Sequence, residues 1–145
     1  MAREIKFRAK SLDGIWEYGE LHLKNCNRPH IHNLIGAKIY IDPNTIGQFT
    51  GLQDKNGKDI YEGDILRKST FVDIPELYLD RDTIGVVRIL PSCGTTICDC
   101  INYETDDPYE EKKMKGRTER VKVVGKRSEV IGNIHDNPEM MEANQ

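Results

Sequence analysis

Two groups of potential ligands stand out: Cys26, His30 and His32 in a Cys-x3-His-x-His run, and Cys93, Cys98 and Cys100 in a Cys-x4-Cys-x-Cys run. Thiolates and imidazoles in fours hold zinc tetrahedrally, and on a strand Cys98 and Cys100 would share a face. Neither run has the paired Cys-x2-Cys spacing of common zinc modules, and nothing in the order of residues brings the two together. The expectation is reduced cysteines in an intracellular chain, with no metal and no cofactor. Carboxylates crowd at Asp59, Glu62 and Asp64. Paired carboxylates serve as acid and base or hold a divalent cation. Beside a glycine turn, however, acidic residues more often cap backbone amides, and EF-hand spacing is absent. Ser11, Ser69, Ser92 and Ser128 lack a nucleophile context, Cys93 has no assigned histidine, and His135 reads as a surface or packing residue. There is no P-loop and no G-x-G-x-x-G. The sequence predicts a protein that is not an enzyme.

Charge points to macromolecular contact. Across 145 residues, 21 Lys and Arg against 24 Asp and Glu give −3, which disfavours nucleic-acid binding by bulk electrostatics. Residues 108–127 depart from this, with eight Lys or Arg against three Glu, a local +5 against −8 elsewhere. Within them, Lys112, Lys113, Lys115, Arg117, Arg120 and Lys122 can track a phosphate backbone. Only Tyr103 and Tyr109 lie near for base stacking. A charged run of this kind also suits a solvated hairpin.

Short strands between turns position these groups. Ile5, Phe7 and Ala9 alternate with charged residues, Asp13-Gly14 turns, and Trp16, Tyr18 and Leu21 return with Gly19 as a bulge, giving a hairpin over residues 4–23. Ile39 to Ile41 is a strand halted by Asp42-Pro43-Asn44, and Thr45 to Phe49 is extended. Asp54-Lys55-Asn56-Gly57 is a tight turn in which Asn-Gly supplies positive φ angles, and Glu62-Gly63-Asp64 is a second turn. Asn56, Gly57, Gly63 and Asp64 are thus read as structural turn residues. Periodicity breaks between Lys68 and Asp82, leaving Ile74 to Leu79 as a helical turn or ordered loop. Strands follow at Thr83–Leu90, Thr95–Tyr103, Thr118–Val124 and Glu129–Ile134, with a charged excursion at Glu104–Gly116. Asn137-Pro138-Glu139 starts a short helical tail. The sum is a mainly β protein, barrel or sandwich-like. No apolar run reaches the roughly 20 residues of a membrane helix, and the N-terminus has no secretory pattern.

Three blocks carry a family resemblance: Arg3 to Ala9 with Trp16-Glu17-Tyr18-Gly19, then Thr45 to Ile65, then Glu129 to Ile134 with Asn137-Pro138-Glu139. On them the chain resembles the YopX family of bacteriophages and prophages, with residues 67–127 its least similar part. The resemblance implies a β-rich protein whose C-terminal part is an SH3-like barrel, and it implies no activity. The expected organisation is an N-terminal β subdomain over 1–49, a barrel with a variable insertion over 50–136, and the tail over 137–145. The expected role is a non-enzymatic accessory in the bacterial cytoplasm, meeting a host or phage protein or a second copy of itself. The alternative is a nucleic-acid-binding barrel using the basic 112–127 segment. Trp16 and Tyr18 are candidates for a contact surface, weighed against packing inside the hairpin.

Overall fold

The computed structural model describes residues 6–23, 28–122 and 127–142, the side chain of Lys122 excepted. The chain divides into two compact units, Met1–Leu52 and Gln53–Gln145. Both are built from antiparallel strands, and among the described residues the helical segments are short 3-10 turns.

In the first unit, β1 (Phe7–Lys10), β2 (Trp16–His22), β3 (His30–Asn33), β4 (Lys38–Tyr40) and β5 (Gly47–Gln53) lie in the order β4-β3-β2-β1-β5. The β1–β2 hairpin closes where the Ser11 hydroxyl accepts a bond from the Ile15 amide at 3.2 Å. Ala9, Ile31 and Ile41 form the buried centre, with Leu21 and Ile46 packed on it. A 3-10 turn at Pro43–Thr45 is capped by the Asp42 carboxylate, which accepts from the Asn44 amide at 3.0 Å. Gly19 is not the expected bulge. It keeps regular register with Phe7 on one side and Asn33 on the other, and a Cβ there would overlap the His32 carbonyl. Glycine is needed at this position for close approach of β2 to β3.

In the second unit, β6 (Asp59–Tyr61) precedes β7 (Asp64–Ile74), β8 (Leu77–Leu90), β9 (Gly94–Thr105), β10 (Lys113–Lys122) and β11 (Ser128–Asn133). The last five form one sheet in the order β10-β9-β8-β7-β11. Ile60, Leu66, Val87, Ile97 and Cys100 make the core, covered by Val121 and Val130. The expected SH3-like barrel does not form as a closed sheet. β10 pairs with β9 and β11 pairs with β7, so these two strands end the sheet rather than closing it on each other. The expected break over residues 68–82 is also absent, because β7 and β8 run in continuous register from Ile65 opposite Val86 to Ile74 opposite Leu77.

Pro75-Glu76 is the two-residue loop at the end of that ribbon. Proline fixes the first loop position and Glu76 takes φ +77, the pattern of a type II turn. A side chain in the left-handed region costs about 1 kcal/mol. Glu76→Gly is therefore expected to raise the thermal midpoint by a few degrees, a gain of roughly 0.5 kcal/mol after glycine's extra unfolded-state entropy. A lower midpoint in a calorimetric scan would count against this turn geometry.

The C-terminal helical tail is likewise corrected. Pro138–Met141 form a single 3-10 turn, with the Glu142 amide donating to Glu139 O. Asn137 does not cap it, because its Oδ1 accepts instead from the Asn133 amide at 3.3 Å. No helix among the described residues is long and apolar enough to cross a membrane.

Candidate functional site

In the first unit the β2–β3 ladder sets His22 opposite His30 and Glu20 opposite His32. Alternation along each strand puts all four side chains on one face of the sheet. The His22 and His30 rings stack at 4.9 Å with 3° between planes, and His32 lies 4.4 Å from His22 and 5.0 Å from His30. One ring nitrogen from each of the three lies within 4.8 Å of the others. His30 is buried, and its Nδ1 donates to the Arg28 carbonyl at 3.1 Å. That bond leaves Nε2 of the ring with the lone pair. Tyr40 meets the His30 ring edge-on at 6.4 Å, and Arg28 and Lys38 lie over the Tyr40 ring. Glu20 Oε1 is 3.7 Å from His22 Nε2.

The sequence singled out His30 and His32 but missed His22. The missing partner comes from cross-strand register, which spacing along the chain does not reveal. Cys26 lies outside the described residues. Trp16 is half-buried between cations, with the Arg8 guanidinium 4.7 Å and the Lys10 ammonium 5.5 Å from its ring. Tyr18 is exposed.

The central carboxylates have separate partners, two of them backbone amides and one a side chain. Asp64, fully buried, accepts from the Tyr61 amide at 2.8 Å. Glu62 accepts from the Ile89 amide at 3.3 Å, and Asp59 from Gln53 Nε2 at 3.1 Å. Gly63 has φ +88, and its amide donates to Val87 O. In the preceding turn Gly57 has φ +81, whereas Asn56 is not in the left-handed region. The loop is therefore a type I turn, with Gly57 N donating to Asp54 O at 3.0 Å, and only its last position requires glycine. The organising residue is Asp54, which the sequence placed in the turn without assigning it a role. Its buried carboxylate accepts from the amides of Asn56 at 2.8 Å, Lys58 at 2.9 Å and Val130 at 3.0 Å. Burial pushes this carboxyl up, but the Val130, Lys58 and Asn56 amides outweigh it and hold the group below its usual range.

The cysteines are divided by a bulge. Ile84 faces Ile101 and Val86 faces Cys98, so Asp99 and Cys100 together oppose Gly85. Asp99 takes φ +55, and the even alternation that would place Cys98 and Cys100 on one face is broken. Cys100 turns into the core, where burial, with Cys98 and Asp99 nearby, pushes its thiol up to about 11. Cys98 is buried beside the Thr96 hydroxyl, and Cys93 is exposed. A protonated, buried thiol is a poor nucleophile and a poor ligand. The His135 backbone amide donates to Asn133 Oδ1 at 3.0 Å.

The basic segment separates into residues with different surroundings. Lys112 is bound to Asp82 at 2.9 Å and Asp80 at 3.2 Å, contacts that raise its pKa. Lys113, Lys115, Arg117 and Arg120 are exposed on β10. Arg120 Nη1 lies 3.7 Å from Cys93 Sγ. Lys115 and Arg117 line a cleft of about 450 Å³ with Lys68, Arg81, Asn102 and Glu104. Arg81 is bonded to Glu104 at 2.6 Å there, and a polar chain runs from Thr83 to Asn102 to Thr118, each link 2.7 Å.

Among curated proteins, none matches the chain. The family model described as YopX protein matches residues 6–142.

Proposed function

Because the chain belongs to the YopX family, we propose that it is a non-enzymatic phage or prophage accessory of the bacterial cytoplasm that binds an acidic, extended polypeptide segment along β10. The observation that carries this reading is the position of β10 at the end of its sheet with Lys113, Lys115, Arg117 and Arg120 exposed on it. An end strand has backbone donors and acceptors on one side without a strand to bond. Cations along such an edge repel an identical edge, so they oppose pairing of two copies through β10. An acidic strand meets no such repulsion and gains main-chain hydrogen bonds together with charge complementarity.

Nucleic acid is the second reading, supported by the cleft in which Lys68, Arg81, Lys115 and Arg117 converge. Among the described residues no aromatic side chain lines that cleft, so contact would run through phosphates without base stacking.

Capture of partners from phage-bearing host cells, with and without nuclease, distinguishes the two. The expected result is a nuclease-resistant protein whose acidic segment protects β10 amides from hydrogen exchange. Lys115→Glu with Arg117→Glu should weaken its binding at least about tenfold, the cost of like charges in a contact. Nuclease-sensitive capture with a steep salt dependence and unprotected β10 amides would replace this reading with the second.

A further inference from the structure

We propose that His22, His30 and His32 bind one divalent transition-metal ion of the zinc class on the first unit. This site is independent of β10 and of the reading above. Three imidazole nitrogens within 4.8 Å of one another are close to what a single ion demands. Tetrahedral zinc with bonds near 2.0–2.1 Å sets its ligand nitrogens about 3.3 Å apart, a difference that small side-chain rotations close.

The surroundings favour the same outcome. The Arg28 carbonyl holds the buried His30 ring by Nδ1, which presents Nε2 as the ligand atom. A carbonyl on the second ring nitrogen is the usual way a protein orients a metal-binding histidine. His22 and His32 come from different strands, yet the β2–β3 register and the close approach at Gly19 fix them beside His30. The backbone thus sets the three side chains next to one another on one face. Glu20, opposite His32 and 3.7 Å from His22, supplies a carboxylate at the rim of the group. It offers a fourth ligand, or an acceptor for a metal-bound water. A cleft of about 610 Å³ lined by Lys6, Tyr18, Glu20, His32 and Leu34 gives an ion a way in. Imidazole donors select zinc, copper or nickel over magnesium or calcium, which require oxygen.

The test uses the full chain without an affinity tag, stripped with chelator and titrated with zinc chloride. One zinc per chain at micromolar affinity or tighter is expected, with a rise in the thermal midpoint and no response to magnesium. Cobalt(II) should give the intense visible bands of a four- or five-coordinate site. His22→Gln and His32→Gln, both at half-buried positions and checked for folding by circular dichroism, should each lower zinc affinity at least tenfold. Glu20→Gln should lower it less, and His135→Gln with Cys93→Ser should leave it unchanged. Absence of saturable zinc uptake, or uptake that survives in folded His22→Gln and His32→Gln, would overturn the site.

Discussion

Gly85→Val is expected to strip the second unit of a large share of its stability. A Cβ at position 85 would overlap Ile97 Cγ2, with Cys98 O at 2.7 Å and Cys100 Sγ at 2.9 Å. Cys98 belongs to the β8–β9 ladder, and Ile97 and Cys100 are fully buried members of the core. None of the three has open space to yield into. The bulge packs Asp99 and Cys100 against one residue of β8, and only a residue without a side chain fits opposite them. Overpacking a close-packed core typically costs about 1–3 kcal/mol, and more where the obstacle is backbone. Valine adds three carbons here, so roughly 4 kcal/mol or more is expected, a large share of a domain's usual 5–15 kcal/mol. Urea titration measures the loss, with alanine as the milder variant. Ile97→Ala should partly rescue Gly85→Ala, since it removes one overlapping atom. Simple addition of the two losses would show that Ile97 is not the obstacle.

Asp54→Ala should cost about 3 kcal/mol and lower the thermal midpoint by about 10 °C or more. The carboxylate accepts three backbone amides, one of them the Val130 amide of β11, and the variant leaves those donors without it. The adjacent Lys55 amide bonds Ser128 O at 2.9 Å, so loss of the Val130 bond leaves the turn held to β11 by fewer ties. The pH dependence follows from the lowered pKa. The folded state favours the ionised form, so its contribution is complete above the unfolded value near 3.9 and disappears as pH falls through the lower folded value. The wild-type advantage over Asp54→Ala should be constant from pH 7 to 5, then shrink under more acid conditions. A gap unchanged at pH 2 would mean that the carboxylate charge is not what organises the turn.

The hairpin β1–β2 was legible in the sequence because Phe7 and Ala9 alternate with charged residues and Asp13-Gly14 marks the turn. The β7–β8 ribbon was not. Thr70, Phe71, Asp73 and Ile74 are exposed and Val72 half-buried, so no inward and outward alternation is imposed on this segment. Its stability comes from pairing across strands, which leaves no period along either one. The tail failed for a related reason: Asn137 has a helix-capping side chain, but it bonds Asn133 instead. At the Asn56-Gly57 turn, composition indicated the reversal, while Asp54 and β11 selected its form.

Composition and local pattern alone determined a mainly β chain, the turns at Asp13-Gly14, Asn56-Gly57 and Gly63, the cationic character of residues 108–127 and, in three other blocks, the family resemblance. These are properties of neighbouring residues, governed by backbone sterics and side-chain alternation. Tertiary structure decided the rest. It turned Cys100 into the core, tied Lys112 to Asp80 and Asp82, placed β10 at the end of an open sheet, and brought His22 against His30 and His32. Each of these depends on which strand pairs with which, and in what register. Pairing joins residues distant along the chain through backbone groups that every residue shares, so side-chain order along one strand does not specify it.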